Sequence, residues 1–259
     1  MPNIACRLIA LTLLLSVAMH SHGQSLRVAV AANFKPALEL LQPEFERQTG
    51  IKLRLSAASS GVLFAQISHG APFDVFLSAD VDRAEALETL GLVVAGSRQT
   101  YAFGTIALIS KQADRTQDEL ITDISNSAVG RLAIANPQTA PYGVAAQQLL
   151  SCWQQQAVFA RAVRGNNIAQ VMHYAATDTV DIAVIAQSLW PGFNRVVQQP
   201  WYLYPVPSDC YQPLEQQLVI LQSSRNTAAA KRLVAFLLSA ESQQVIAGQG
   251  YLQAQSQTR

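Results

Sequence analysis

Residues 26–61, LRVAVAANFKPALELLQPEFERQTGIKLRLSAASSG, change their hydrophobic period twice, and the architecture follows from that change. Leu26 to Ala32 is a short, almost continuous apolar run, the pattern of a strand covered on both faces. Pro36 then suits the first turn of a helix, because its missing N–H would have no partner there. Leu38, Leu41 and Phe45 fall on one face at i, i+3 and i+7, and Gly50 is a natural stop. Pro43 inside this helix argues for a kink. Ile51, Leu53 and Leu55 return to strand alternation before the small, polar Ser59-Ser60-Gly61.

The alternation continues outward from this stretch. Leu63 to His69 reads as a helix, Asp74 to Ser78 as a strand, and Asp82 to Leu90 as a helix ended by Gly91, completing a βαβαβα unit. A second unit follows, with apolar Ile106 to Ile109, strands at Arg131 to Ala135 and Asp181 to Ala186, and helices from Pro141 towards Trp153 and over Ile168 to Ala176. Pro200, Pro205, Pro207 and Pro213 make residues 200–213 an extended crossing segment. Gln217 to Leu221 is then a strand and Ala228 to Leu238 an amphipathic helix. The expected class is α/β, with two lobes, each a mostly parallel sheet flanked by helices. Lobe 1 would comprise 24–103 plus 212–259, and lobe 2 would comprise 104–211.

The chain has 259 residues, half of them hydrophobic and only 14% charged, which supports a folded core and excludes a disordered composition. Arg7 is the only Lys, Arg, Asp or Glu in residues 1–23, so the remainder carries 17 bases and 17 acids. Without a basic surplus or a Lys/Arg cluster, nothing supplies the phosphate contacts on which nucleic-acid affinity depends. The apolar run Leu8 to Met19 is too short to span a bilayer, which takes about 20 residues. Arg7 before it, and Ser21 and Gly23 at the minus-three and minus-one positions of a cut before Gln24, make residues 1–23 a secretory signal peptide. Cys6 precedes the apolar run, too early for lipid attachment. After cleavage only Cys152 and Cys210 remain, in a compartment where thiols can pair. They form either a bridge or two free buried thiols, and two cysteines without CxxC spacing make a poor metal site.

Four short segments stand between an apparent strand and a helix: Ala32-Asn33, Ala58 to Gly61, Thr139 to Gly143, and Asn166-Asn167-Ile168. Free amides at helix starts hold anions without lysine or arginine. Ser and Asn in such places also act as plain caps of their own helices. Two segments fall in each expected lobe and none contains Asp or Glu, so together they read as one oxyanion cleft at the strand ends.

Val28 to Phe34, Ala58 to Gly61, and above all Gly70-Ala71-Pro72-Phe73-Asp74-Val75-Phe76-Leu77-Ser78-Ala79-Asp80 resemble the periplasmic molybdate-binding proteins of ABC transporters. Gly96-Ser97-Arg98 with Tyr101-Ala102, and Ile134 to Gln138 leading into Ala140 to Gly143, extend the resemblance through nearly the whole mature chain. It implies a hinged type II periplasmic binding protein that holds molybdate or tungstate between its lobes and delivers it to a membrane permease. No resident cofactor is implied, and a monomer is expected. Position by position, the resemblance makes Asn33 and Ser60 first-lobe ligands. It makes Tyr142 and Ile168 second-lobe ligands through their backbone amides, with Ala32 lining the site. The protein would touch the oxygens of the anion, never the metal. One branch of the family has a tyrosine ligand where Ala186 stands and a serine where Asn33 stands, so this chain resembles the asparagine-containing branch. Asp80 reads as a cap or structural acceptor.

Two other functions compete. Another oxyanion, such as sulfate, suits the same fold. An exported hydrolase using Ser59 or Ser60 would have only His69 and His173 as bases, and no GxSxG, SxxK or HExxH motif is present.

Overall fold

The structure, a computed structural model, describes residues 24–126 and 131–252. The expected signal peptide, residues 1–23, lies outside the described residues, as do residues 253–259 at the end of the expected first lobe.

The strand read at Leu26 is β1 (Ser25–Ala31), followed by α1 (Lys35–Thr49), β2 (Lys52–Ala58), α2 (Ser60–Ser68), β3 (Val75–Leu77) and α3 (Asp82–Thr89). Side chains alternate across β1 as a strand requires. Val28 and Val30 join Leu38, Leu41 and Phe45 of α1 in one cluster, while Ala29 joins Leu63, Ile67 and Leu87 of α2 and α3 on the other face. Helix α1 runs unbroken through Pro43 and ends at Gly50, whose φ of 69° closes it with a hydrogen bond to Glu46 O.

The chain continues through β4 (Gln99–Gly104), β5 (Ile106–Ser110), α4 (Gln117–Ser125), β6 (Leu132–Ala135), α5 (Pro141–Cys152), α6 (Gln156–Arg161), β7 (Val163–Gly165) and α7 (Ile168–Ala176). It ends with β8 (Ile182–Ala186), α8 (Trp190–Val196), β9 (Tyr202–Pro205), β10 (Leu214–Ile220), α9 (Thr227–Leu237) and α10 (Ala240–Gly248). Two five-stranded sheets result, in the orders β2-β1-β3-β10-β4 and β7-β6-β8-β5-β9. Both are mixed. Strand β10 runs antiparallel to β3 and β4, and β5 antiparallel to β8 and β9, while β1 and β6 pair in parallel with both neighbours. The proline-rich segment thus contributes β9 to the edge of the second sheet before the chain returns to the first. An edge strand is the place in a sheet that tolerates Pro205.

The second sheet has its own core of Ile106 to Ile109, Leu132 to Ala135 and Ile182 to Ala186, into which Ala31, Ala32 and Ala79 of the first sheet's side also pack. Cys152 and Cys210 are joined by a disulfide with a Cα–Cα distance of 5.5 Å, tying the end of α5 to the segment that leaves the second sheet.

Candidate functional site

The cleft is built from paired strand ends. Ala31 lies opposite Ala58, and Ala32 N donates to Ala58 O at 2.9 Å, which sets Ala32-Asn33 beside Ser59-Ser60. In the other sheet Ala135 lies opposite Gly165, and Asn136 N donates to Gly165 O at 2.8 Å, which sets the start of α5 beside that of α7. The two pairs meet. Gly61 N in the first turn of α2 donates to Thr139 O at 2.9 Å, and Asn33 Nδ2 donates to the Tyr142 hydroxyl at 3.3 Å. Glycine is required at 61, since a Cβ there would stand 2.7 Å from Thr139 O. Ala32, Asn33, Ser60, Tyr142 and Ile168 are all buried, and Ala32, Tyr142, Ile168 and Ala186 belong to one continuous cluster.

The polar groups along this seam are engaged differently. Ser60 Oγ accepts from Ala79 N at 2.9 Å, which leaves the hydroxyl hydrogen free to donate elsewhere. Ser59 precedes α2 without capping it, and its buried Oγ finds no partner among the described residues. Asn167 does cap its own helix, accepting from Gln170 N at 3.0 Å. The amides of Tyr142 and Ile168 lie in the first turns of α5 and α7, where no intrahelical carbonyl is in reach.

The stretch 70–80 is scaffold for this arrangement. Buried Asp74 accepts from Arg27 N at 2.8 Å and from Ser224 Oγ at 2.8 Å, holding β3 in place, and Ala79 then reaches Ser60. Asp80 accepts from Ser78 Oγ at 2.8 Å and from Arg83 N at 3.2 Å, and its carboxylate pairs with the Arg83 guanidinium. It is held in structural contacts. His69 Nδ1 lies 2.7 Å from Ala65 O of its own helix and His173 is exposed, so neither histidine contacts the two serines.

Three residues at the site are not singled out by the sequence as ligands: Gln216, Tyr101 and Tyr251. Asn33 Nδ2 lies 3.0 Å from Gln216 Oε1 and 3.1 Å from the Tyr251 hydroxyl. Gln216 Nε2 donates to the Tyr142 hydroxyl at 3.0 Å, and the Tyr251 hydroxyl donates to Asn33 O at 2.9 Å. Gly104 makes room for this knot, because a Cβ there would lie 2.2 Å from the Tyr142 hydroxyl. Burial pushes the Tyr101, Tyr142 and Tyr251 phenols above their ordinary value of 10.0, so all three stay protonated at neutral pH. The signal for Gln216 is its polarity between Leu214 and Leu218, in a strand that starts at Leu214 and not at the expected Gln217.

The geometry has close counterparts. Residues 26–252 match the family described as bacterial extracellular solute-binding protein. The chain is 36% identical to the molybdate-binding protein ModA of Azotobacter vinelandii over 91% of this chain and 92% of that one. It is 33% identical to ModA of Rhodobacter capsulatus over 94% of each. The solved structure of the Azotobacter vinelandii periplasmic molybdate-binding protein superposes with a TM-score of 0.80 at 31% identity, covering 89% of this chain and 100% of that one. Its two sheets and these matches make the chain a member of the bacterial extracellular solute-binding proteins, a family of transport components and not of enzymes.

Proposed function

We propose that the chain captures molybdate, and tungstate with it, between lobe 1 (24–103 plus 212–259) and lobe 2 (104–211). As a monomer exported to the periplasm by residues 1–23, it hands the anion to the membrane permease of an ABC transporter. Asn33 and Ser60 donate through side chains, Tyr142 and Ile168 through backbone amides, and Ala32 lines the site. The anion is cargo, and its oxygens meet only donors.

The observation that carries this reading is the convergence of four carboxylate-free strand ends, with the Ser60 hydrogen left free, in a chain 36% identical to a molybdate-binding protein. A fully ionised dianion needs donors only, while a protonated anion would leave its hydrogen without an acceptor, which disfavours phosphate. Sulfate is also a full dianion, so cavity size must reject it, the larger anion reaching donors from both lobes at once. Because the donors meet only when the lobes close, the anion favours the closed form, the form a permease would recognise.

Thermal unfolding with molybdate, tungstate, sulfate and phosphate tests the reading. A ligand at a thousand times its Kd stabilises by about 4 kcal/mol. A large shift with molybdate and tungstate alone is expected. A shift with sulfate alone transfers the cleft to another oxyanion, and no shift with any of the four overturns the site.

A further inference from the structure

A role for Asn33 as an anion donor conflicts with the direction of its amide nitrogen, which faces the tyrosine knot. A carboxamide's oxygen and nitrogen diverge, so when Nδ2 faces the knot, Oδ1 faces away from it. An oxygen turned to the cleft would repel an anion.

Counting hydrogens resolves the conflict. As arranged, the single hydrogen of the Tyr101 hydroxyl faces two acceptors, Ser78 O at 3.1 Å and Gln216 Oε1 at 3.0 Å. The Tyr142 hydroxyl accepts from both amides, and its own hydrogen meets no acceptor among the described residues. Both tyrosines and Gln216 are buried, where an unpaired hydrogen is costly. Turning both amides over keeps every distance. Gln216 Nε2 then donates to the Tyr101 hydroxyl and to Asn33 Oδ1, each at 3.0 Å. The Tyr142 hydroxyl donates to Gln216 Oε1 at 3.0 Å, Tyr101 to Ser78 O, and Tyr251 to Asn33 O, with Asn33 Oδ1 a second acceptor for the Tyr251 hydrogen at 3.1 Å. Each of these hydrogens now has an acceptor, and neither hydrogen of Asn33 Nδ2 is spent on the knot.

We infer, resting on the proposed role of Asn33 as an anion donor, that Gln216 is a positioning residue of the anion site: its carboxamide, turned together with that of Asn33, holds Asn33 Nδ2 towards the bound anion. The backbone is shaped for this. In the pairing of β10 with β4, Gln216 lies opposite Ala102 and Gln217 opposite Thr100, so Tyr101 is an inserted residue with no partner across the ladder. Such bulges re-aim side chains beside binding sites, and here Tyr101 meets Gln216. Neighbouring Gln217 faces other partners, accepting from Arg98 at 2.9 Å and donating to Thr100 at 3.2 Å.

A double-mutant cycle read by calorimetric titration with sodium molybdate tests this. Gln216→Glu keeps the size but cannot donate, so Asn33 must donate to it and offer Oδ1 to the anion. Gln216→Met removes the orienting bonds without adding charge and provides a second background. In the unsubstituted protein Asn33→Ala should lower affinity about 10-fold to 150-fold. In either Gln216 background it should add less than about threefold, while Ser60→Ala keeps its full cost. Asn33→Ala keeping its full cost in the Gln216 backgrounds overturns the positioning role, because a purely structural Gln216 gives additive losses. Affinity unmoved by Asn33→Ala and by Ser60→Ala in the unsubstituted protein overturns instead the functional reading beneath it.

Discussion

The two sheets are wired alike and furnished differently. In β2-β1-β3-β10-β4 and in β7-β6-β8-β5-β9, the second strand has two parallel neighbours and ends beside the edge strand, where helices begin. Even the bond closing each corner is repeated, Ala32 N to Ala58 O at 2.9 Å and Asn136 N to Gly165 O at 2.8 Å. Yet the first sheet brings a serine whose hydroxyl does not cap its helix and an asparagine in a polar knot, whereas the second brings Ala140 and a self-capping Asn167. In the proposed function, one topology thus offers side-chain donors from one side and backbone donors from the other. A repeated frame does not impose repeated chemistry, because backbone pairing fixes where the strands end and leaves the side chains there to the sequence.

The largest effect expected to separate the halves is on stability. Among the described residues the disulfide lies on the second sheet's side alone and closes a loop with a sequence separation of 58, and the chain-entropy model gives such a loop about 4 kcal/mol. Replacing Cys152 and Cys210 by serine should lower the denaturant midpoint accordingly, and an unchanged midpoint would remove this asymmetry.

Next come the donors themselves. Ser60→Ala should weaken molybdate binding by about 1.5 to 3 kcal/mol, the worth of a hydrogen bond to a charged group. Ile168→Val, which keeps the amide, should lower stability by about 0.5 to 1.5 kcal/mol and leave affinity unchanged. Titration showing equal losses of affinity in the two variants would falsify the division between side-chain and backbone donors.

Gly61→Ala probes the seam. Its Cβ would stand 2.7 Å from Thr139 O, a backbone atom that cannot swing aside. Forcing such a contact costs about 1 to 3 kcal/mol, and if the lobes hinge as proposed, the cost falls on the form in which Gly61 meets Thr139. Small-angle scattering should then find a more open molecule at the molybdate concentration that closes the unsubstituted protein. An equally compact variant would mean that the seam is not tight.

The smallest effect is a null. Burial raises the phenols of Tyr101, Tyr142 and Tyr251 above 10.0, so the unfolded chain ionises its tyrosines first and stability falls only above about pH 10. Molybdate affinity should stay flat from neutral pH to about pH 9, and a step within that range would point to a titrating group at the site.

Most of the frame is legible along the chain. Period changes along Leu26 to Leu55 located β1, α1 and β2, because burying a strand or a helix face demands apolar residues at its own spacing. The four strand-end segments were legible for the same reason, as polar breaks at element boundaries. The class of function was legible in the motif stretch 70–80, whose scaffolding role needs Asp74 buried and Ala79 placed against Ser60. The rest comes from packing in three dimensions. Strand direction escaped the pattern, since the residues of β5 and β10 read the same whichever way the strand runs in the sheet. The bridge between Cys152 and Cys210 is a matter of proximity, and no spacing in sequence brings their Cα atoms to 5.5 Å. The polar knot joins Asn33 to Tyr142, Gln216 and Tyr251, separated by 109, 183 and 218 residues. A hydrogen-bonded cluster of this kind leaves no periodic trace, because its members share a place in space and nothing along the chain.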